Sequence, residues 1–419
     1  MSKRRILVLH LAFLVFTAIP PVVYADMCFE CHSGWEDESG SPSASYESDV
    51  HFRAGLGCAD CHGGNPELDD MDDVRRGRGY KGIPRPREIP GFCATCHNDP
   101  GYMIKHNPAL PTDQLDKYKT SVHGKRLLEE GDEKAANCVS CHSVHNIERP
   151  QIPASTVYPL NLPEVCAGCH SDPEYMAGYG IPASQFDDYA ESVHGHALLV
   201  EKDLGAPACN DCHGNHGATP PGVTSISAVC GLCHALISDE FAVSPHKAAF
   251  DEMGYPECEG CHSNHLVLEP ELYWIGTSDS SLCVDCHSAD DGTEGLAKAE
   301  KIHEIVLKLK KSYETAEAKV DESELKGMMV TDERFILKEI TQAMIRTRTV
   351  IHSLDFEKVS EAAGEGLEKA DQAYRAATTK VEEYYFRRKG LGIATLIITI
   401  LVIALYLRIR SIDKSHPLR

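Results

Sequence analysis

Hydrophobic and polar positions divide the chain into stretches of different character. Residues 6–19 form a short apolar run behind Lys3, Arg4 and Arg5, broken by Pro20 and Pro21 and followed by Val23, Tyr24 and the small Ala25. This is the pattern of an export signal over residues 1–25. From residue 26 to about 290, neither strand alternation nor helical spacing persists for long, and Gly, Pro, Ser and Asp are frequent. Residues 296–386 are different. Ile302, Ile305, Val306 and Leu309 follow helical spacing, as do Phe335, Ile336, Ile340, Ala343 and Ile351. With breaks expected at 321–327 and 363–366, this stretch predicts about three amphipathic helices in a hairpin or bundle. Residues 391–407 are then almost uninterruptedly apolar with no ionisable side chain, which predicts a transmembrane helix over 390–409 and a short tail over 410–419.

The segment 26–290 poses a folding problem. Aromatic residues are 7 % of the chain and mean hydropathy is −0.28, and the segment carries few sustained apolar runs. Its side chains make a thin core, so something else must fill the interior. The expected fold is mostly coil and short α-helices around such a filler, followed by the helical bundle and the span. The net charge of −22 excludes nucleic acid, whose phosphates need clustered Lys and Arg. It favours steering toward basic partners.

Cysteine usage names the filler. All 18 cysteines fall in Cys-x-x-Cys-His units, here numbered first to ninth. They are Cys28-Cys31-His32, Cys58-Cys61-His62, Cys93-Cys96-His97, Cys138-Cys141-His142, Cys166-Cys169-His170, Cys209-Cys212-His213, Cys230-Cys233-His234, Cys258-Cys261-His262 and Cys283-Cys286-His287. This is the attachment signature of c-type haem. Two thiols form thioethers with the porphyrin vinyl groups and the adjacent His becomes the proximal iron ligand. Disulfides, zinc knuckles or a redox Cys-x-x-Cys would each leave the recurring His unexplained. The sequence therefore predicts nine haem c groups over residues 26–290.

Of 22 histidines, nine are proximal. His10 lies in the signal, and His303, His352 and His416 follow the haem region. His51, His106, His123, His145, His194, His196, His216, His246 and His265 remain inside it, enough to give every iron a second imidazole. Internal repeats support most of them. Residues 114–128 (QLDKYKTSVHGKRLL) recur as 185–199 (QFDDYAESVHGHALL), each ahead of an even-numbered motif, with weaker copies around His51 and His246. A second pattern places a His three residues after the proximal one, in His142/His145, His213/His216 and His262/His265; after His62 the position is Asn65. Residues 93–103 (CATCHNDPGYM) recur as 166–176 (CAGCHSDPEYM). Even-numbered motifs thus carry flanking histidines that odd-numbered ones mostly lack, and they are expected to cross over to odd-numbered haems. His106 follows the third motif without a later copy. His196 aligns with Lys125, so His196 and His303 compete as the ninth distal ligand. Met103 and Met176 hold matched positions that suit packing better than thioether ligation.

These motifs, the Ser-Val-His-Gly elements and the Cys-x-x-Cys-His-x-x-His copies resemble the multihaem c-type cytochromes with doubled haem motifs, found in anaerobic sulfate- and metal-reducing bacteria. The resemblance implies electron transfer between membrane quinol-oxidising subunits and periplasmic or outer-surface acceptors. The helices after the last motif are also similar to those of nitrite reductase and hydroxylamine oxidoreductase relatives. The Cys-x-x-Cys-Lys of the nitrite reductases is absent, however, and the anchor is not N-terminal as in small tetrahaem quinol dehydrogenases. The expectation is an electron carrier rather than an enzyme: bis-histidine haems in the periplasm, a single-pass anchor in a bacterial cytoplasmic membrane, and a quinone-linked redox partner. The alternative is a reductase of a small nitrogen or sulfur oxyanion working at one open-faced haem. Arg387, Arg388 and Lys389 flank one end of the span and Arg408, Arg410 and Lys414 the other, so the export signal decides the orientation. The amphipathic helices read as a spacer, or else as a surface for docking or self-association.

Overall fold

A computed structural model describes residues 27–33, 42–70, 72–73, 79–219 and 227–415. The expected signal over 1–25, His10 and His416 lie outside the described residues. Among those residues every regular element is helical. By contacts the chain divides into two units. The first comprises residues 1–183 and 208–219; the second comprises 184–207 and 220–419. The seventh, eighth and ninth motifs therefore share a unit with the C-terminal helices.

Short helices dominate the first unit, and the motifs are their substance. Cys58–His62, Cys138–His142 and Cys209–His213 are single helical turns, while Ile89–His97 and Leu162–His170 are helices that end on the proximal His. Helical spacing suits the chemistry, since residues i, i+3 and i+4 lie on one face and so present two sulfurs and an imidazole together. Local hydrogen bonds hold the even-numbered turns. The backbone N–H groups of Gly57 and Ala208 donate to Asp60 Oδ2 and Asp211 Oδ2, each at 2.7 Å, and that of Asn137 donates to Ser140 Oγ at 3.0 Å. The next residue then turns the chain out of the helix with positive φ: 69° at Gly63, 61° at Ser143, 77° at Gly214 and 64° at Ser263.

A second device recurs ahead of the even-numbered motifs. Ser121 Oγ accepts the Gly124 N–H at 2.8 Å and donates to the Tyr118 carbonyl at 2.6 Å. Ser192, Gly195 and Tyr189 repeat this at 3.0 and 2.6 Å. Asp49 caps its turn through the His51 N–H, and Ser244 through the Lys247 N–H. In each case the capped turn carries His at its second position: His51, His123, His194 and His246. The glycines of the two closest copies are steric necessities. A Cβ on Gly124 or Gly195 would lie 1.9 Å from the Tyr118 or Tyr189 carbonyl oxygen.

The second unit contains three long helices: α1 (Gly295–Leu325), α2 (Thr331–Val350) and α3 (Phe356–Ser415). Leu309, Ala316, Val320, Leu337, Ile340 and an alanine face of α3 (Ala363, Ala370, Ala373, Ala377) form their core. Two expectations change here. Phe335 is exposed and Leu337 is buried instead, because the face of α2 turned to the core runs through Leu337, Ile340, Ala343 and Thr347. The break expected at 363–366 does not occur, since α3 continues straight through it. Gly366 lies where helices approach closely, and a Cβ there would come within 2.7 Å of Leu309 and 3.1 Å of Ala343. The break comes instead at the 3₁₀ turn Ile351–Ser353 and at Leu354, whose φ is 53°. Gly366→Val should accordingly overpack this contact and destabilise the three-helix core by about 1–3 kcal/mol. The check is the melting temperature of the helical signal in circular dichroism, and an unchanged value would show that the contact yields freely.

The final part of α3 contains a stretch long and apolar enough to cross a membrane, with a mean hydropathy of 2.5 over an 18-residue window. Its Leu, Ile and Val side chains are exposed from Leu391 onward.

Candidate functional site: paired imidazoles and abutting thiols

The side chains that the sequence marks for chemistry come together in facing pairs. His97 faces His51 with ring centres 5.9 Å apart, His170 faces His123 at 6.1 Å, His234 faces His194 at 6.1 Å and His287 faces His246 at 5.9 Å. In these pairs, a capped-turn His lies opposite the proximal His of the next odd-numbered motif. His62 faces His145 at 6.2 Å and His142 faces His216 at 6.1 Å. The His that follows an even-numbered motif therefore lies opposite the preceding even-numbered proximal His, rather than crossing to an odd-numbered one. The two kinds of turn are stitched by one recurring backbone bond. The N–H groups of Val50, Val122 and Val193 donate to the carbonyls of Ile147, Ala218 and Val267 at 2.8, 3.1 and 2.9 Å.

Separations near 6 Å fall within the range of ordinary ring contacts, and their recurrence at the same value also matches two imidazoles bound to one iron. A metal–imidazole bond of about 2.0 Å plus roughly 1.1 Å from Nε2 to ring centre, taken twice, gives about 6 Å. The rings are also oriented from behind, as metal-binding imidazoles are. His51 Nδ1 lies 2.9 Å from Asp49 Oδ1, His62 Nδ1 2.9 Å from the Gly82 carbonyl, His213 Nδ1 3.2 Å from the Thr219 carbonyl and His287 Nδ1 2.8 Å from Asp291 Oδ2. Burial, followed by the facing ring, holds His97, His123, His194 and His246 below the usual histidine range. Neutral imidazole is the form that donates a lone pair to iron. His145 has φ of 62°, an uncommon backbone state for a residue with a Cβ and one that recurs where function constrains position.

The thiols report how successive motifs meet. Cys93 hydrogen-bonds Cys138, Cys166 hydrogen-bonds Cys209 and Cys230 hydrogen-bonds Cys258. This contact, then burial, pushes the Cys93, Cys166 and Cys258 thiols up. Burial first raises Cys61 and Cys141, followed by Cys96 at Cys61 and by Cys138 and then Cys169 at Cys141. The residues therefore fit covalent haem: each Cys-x-x-Cys-His turn offers two sulfurs and a histidine, and His62, His97, His142, His170, His234 and His287 each face a second imidazole near 6 Å. When bound, the haem supplies reversible one-electron redox at its iron.

Other positions singled out by sequence lie elsewhere. His106 stacks on Tyr102 with ring centres 4.5 Å apart. His196 is exposed, 3.5 Å from Glu201. His303 is held by the Ile275 carbonyl, 2.9 Å from its Nδ1. Met103 and Met176 are buried. His32 ends the helix Met27–His32, and His265 accepts its local turn through the Asn264 side chain, which takes the His265 N–H at 2.6 Å. Sequence reasoning passed over His352, whose ring centre lies 6.1 Å from that of the proximal His262. The missed signal was the repeat itself: the eighth motif has no later even-numbered motif to supply its facing His.

No significant match to a curated protein or to a solved structure was found. Residues 50–171 match the cytochrome c3 family, and residues 248–292 match the doubled CXXCH motif. Motifs, facing imidazoles and family matches converge: the chain contains a cytochrome c3 region and a doubled Cys-x-x-Cys-His region, the features of multihaem c-type cytochromes.

Proposed function

We propose that the chain carries nine haems c, each closed by two imidazoles, and passes electrons by hopping along them while tethered to a bacterial cytoplasmic membrane. The observation that carries this reading is the row of facing imidazoles near 6 Å. An iron with both axial positions taken binds no substrate and changes only its charge, which suits electron carriage. The alternative, reduction of a small nitrogen or sulfur oxyanion, needs an iron with an open face. Abutting thiols support part of the path: Cys93 with Cys138, Cys166 with Cys209 and Cys230 with Cys258 join the third to the fourth, the fifth to the sixth and the seventh to the eighth motif. Each sulfur would hold the vinyl-bearing edge of its haem, so these thiol contacts would bring neighbouring haem edges together.

The haem region lies on the periplasmic side, with residues 390–409 in the bilayer and 410–419 in the cytoplasm. Helix α3 makes the anchor a stalk. At 1.5 Å per residue, residues 356–390 hold the Ile351–Ser353 turn up to about 50 Å from the start of the span. That reach favours a quinone-linked partner subunit as the donor over direct contact between this turn and a membrane quinone. The acidic surface favours partners with a basic face.

Purified protein should give nine haems per chain by pyridine haemochrome and an all-low-spin ferric spectrum in electron paramagnetic resonance. Nitrite or sulfite should leave that spectrum unchanged. A high-spin haem that responds to either anion would reverse the reading in favour of a reductase.

A further inference from the structure

We infer that His352, in the turn between α2 and α3, is the second axial ligand of the haem iron at the eighth motif. The C-terminal helices thereby become part of a haem site. This rests on the haem reading above and extends it to a residue outside the motif region.

Geometry is the first support. The His262 and His352 ring centres are 6.1 Å apart with planes inclined by 27°, within the range of the other facing pairs. Orientation is the second. His352 Nδ1 lies 3.1 Å from the carbonyls of Arg348 and Thr349, so Nδ1 carries the proton and Nε2 keeps its lone pair for a metal. The ring is half-buried, and its surroundings are fixed. Ser353 Oγ donates to the Val350 carbonyl at 2.7 Å and accepts the Asp355 N–H at 3.2 Å, which pins the turn from both sides. Trp274 stands 5.7 Å from the His262 ring.

Register is the third and independent support. The second motif's His62 faces His145, which follows the fourth motif, and the fourth motif's His142 faces His216, which follows the sixth. By that rule the eighth motif needs a tenth, and the chain has none. The stitching bond ends at the same place. Val50, Val122 and Val193 donate their N–H to the segment after a following His, but the equivalent residue ahead of the eighth motif is Pro245, which has no N–H to give. Where the repeat runs out, the helical unit supplies the imidazole. This also accounts for the position of the helix break at Ile351–Ser353, because a continuous helix from α2 into α3 would not present the ring in this turn.

The test uses the full chain purified from membranes, as His352→Ala and His352→Met. The Ala variant should keep nine haems by haemochrome and show one high-spin ferric haem where the parent shows none. Added imidazole should return that haem to low spin. The Met variant should stay low-spin but gain the charge-transfer band of a methionine–iron bond, with one haem shifted to higher potential. Should His352→Ala assemble poorly, the Met variant decides alone. Both variants retaining the parent's bis-histidine spectrum at full haem content would overturn the inference. A parent chain that takes up no haem would instead sink the reading on which it rests.

Discussion

Produced without haem attachment, the chain should lose its fold through the motif region while α1, α2 and the first half of α3 stay helical. The reason is the distribution of buried apolar groups. Among the described residues of the first unit these are Tyr46, Pro90, Met103, Tyr118, Leu127, Ala135, Pro163, Met176 and Ala208, scattered among many short helices. Each buried large side chain contributes about 1.5–3 kcal/mol, against about 1–2 kcal/mol to fix every backbone residue. Side chains alone fall far short, and isolated helices of five to nine residues are not stable in water. Haem macrocycles held by the paired cysteines would supply the missing interior. The three long helices have their own core through Leu309, Val320, Ile340, Ala363 and Ala373. Expression in a compartment lacking haem ligation, followed by limited proteolysis and mass spectrometry, should leave a protected fragment near residues 295–386 and digest residues 27–219. Protection of the earlier region without haem would refute this account of its core.

Termination of the chain after Phe386 should move the protein from the membrane to the soluble fraction with its haem content and spin state unchanged. Val381 is the last buried residue of α3, and Lys326 packs over the Tyr384 and Tyr385 rings at 5.7 and 5.4 Å. The cut therefore spares every packing contact of the helical core. What it removes is the exposed face of Leu391, Leu396, Ile397, Ile400, Leu401 and their neighbours. Each such residue favours bilayer insertion by about 0.3–0.6 kcal/mol at a helix centre, and water does not tolerate so many together. Fractionation of the truncated protein is the measurement, and full retention in washed membranes would assign the attachment to another part of the chain.

Much of the site was legible because its rules are local. A Cys-x-x-Cys-His turn needs only helical spacing to present its ligands, and the aspartate or serine that caps it lies within the motif. The distal histidines of the capped turns were readable from the Ser-Val-His-Gly repeat, whose glycine cannot carry a Cβ. The apolar span was readable from length and polarity. Helix boundaries were less so. Ala363 and Gly366 looked like a break but are close-packing positions, and small residues serve either purpose until a partner surface is known.

The sequence by itself determined the number of Cys-x-x-Cys-His motifs, the histidines of the capped turns and the long helical ending, because each depends on residues within about one helical turn or on composition. Only the tertiary structure decided which imidazole faces which. It placed His145 and His216 against even-numbered partners, and it brought His352 to His262 across ninety positions of chain. Ring opposition is a non-local relation, set where backbone stitching and helix packing bring distant turns to a common gap, and no spacing along the chain encodes that distance.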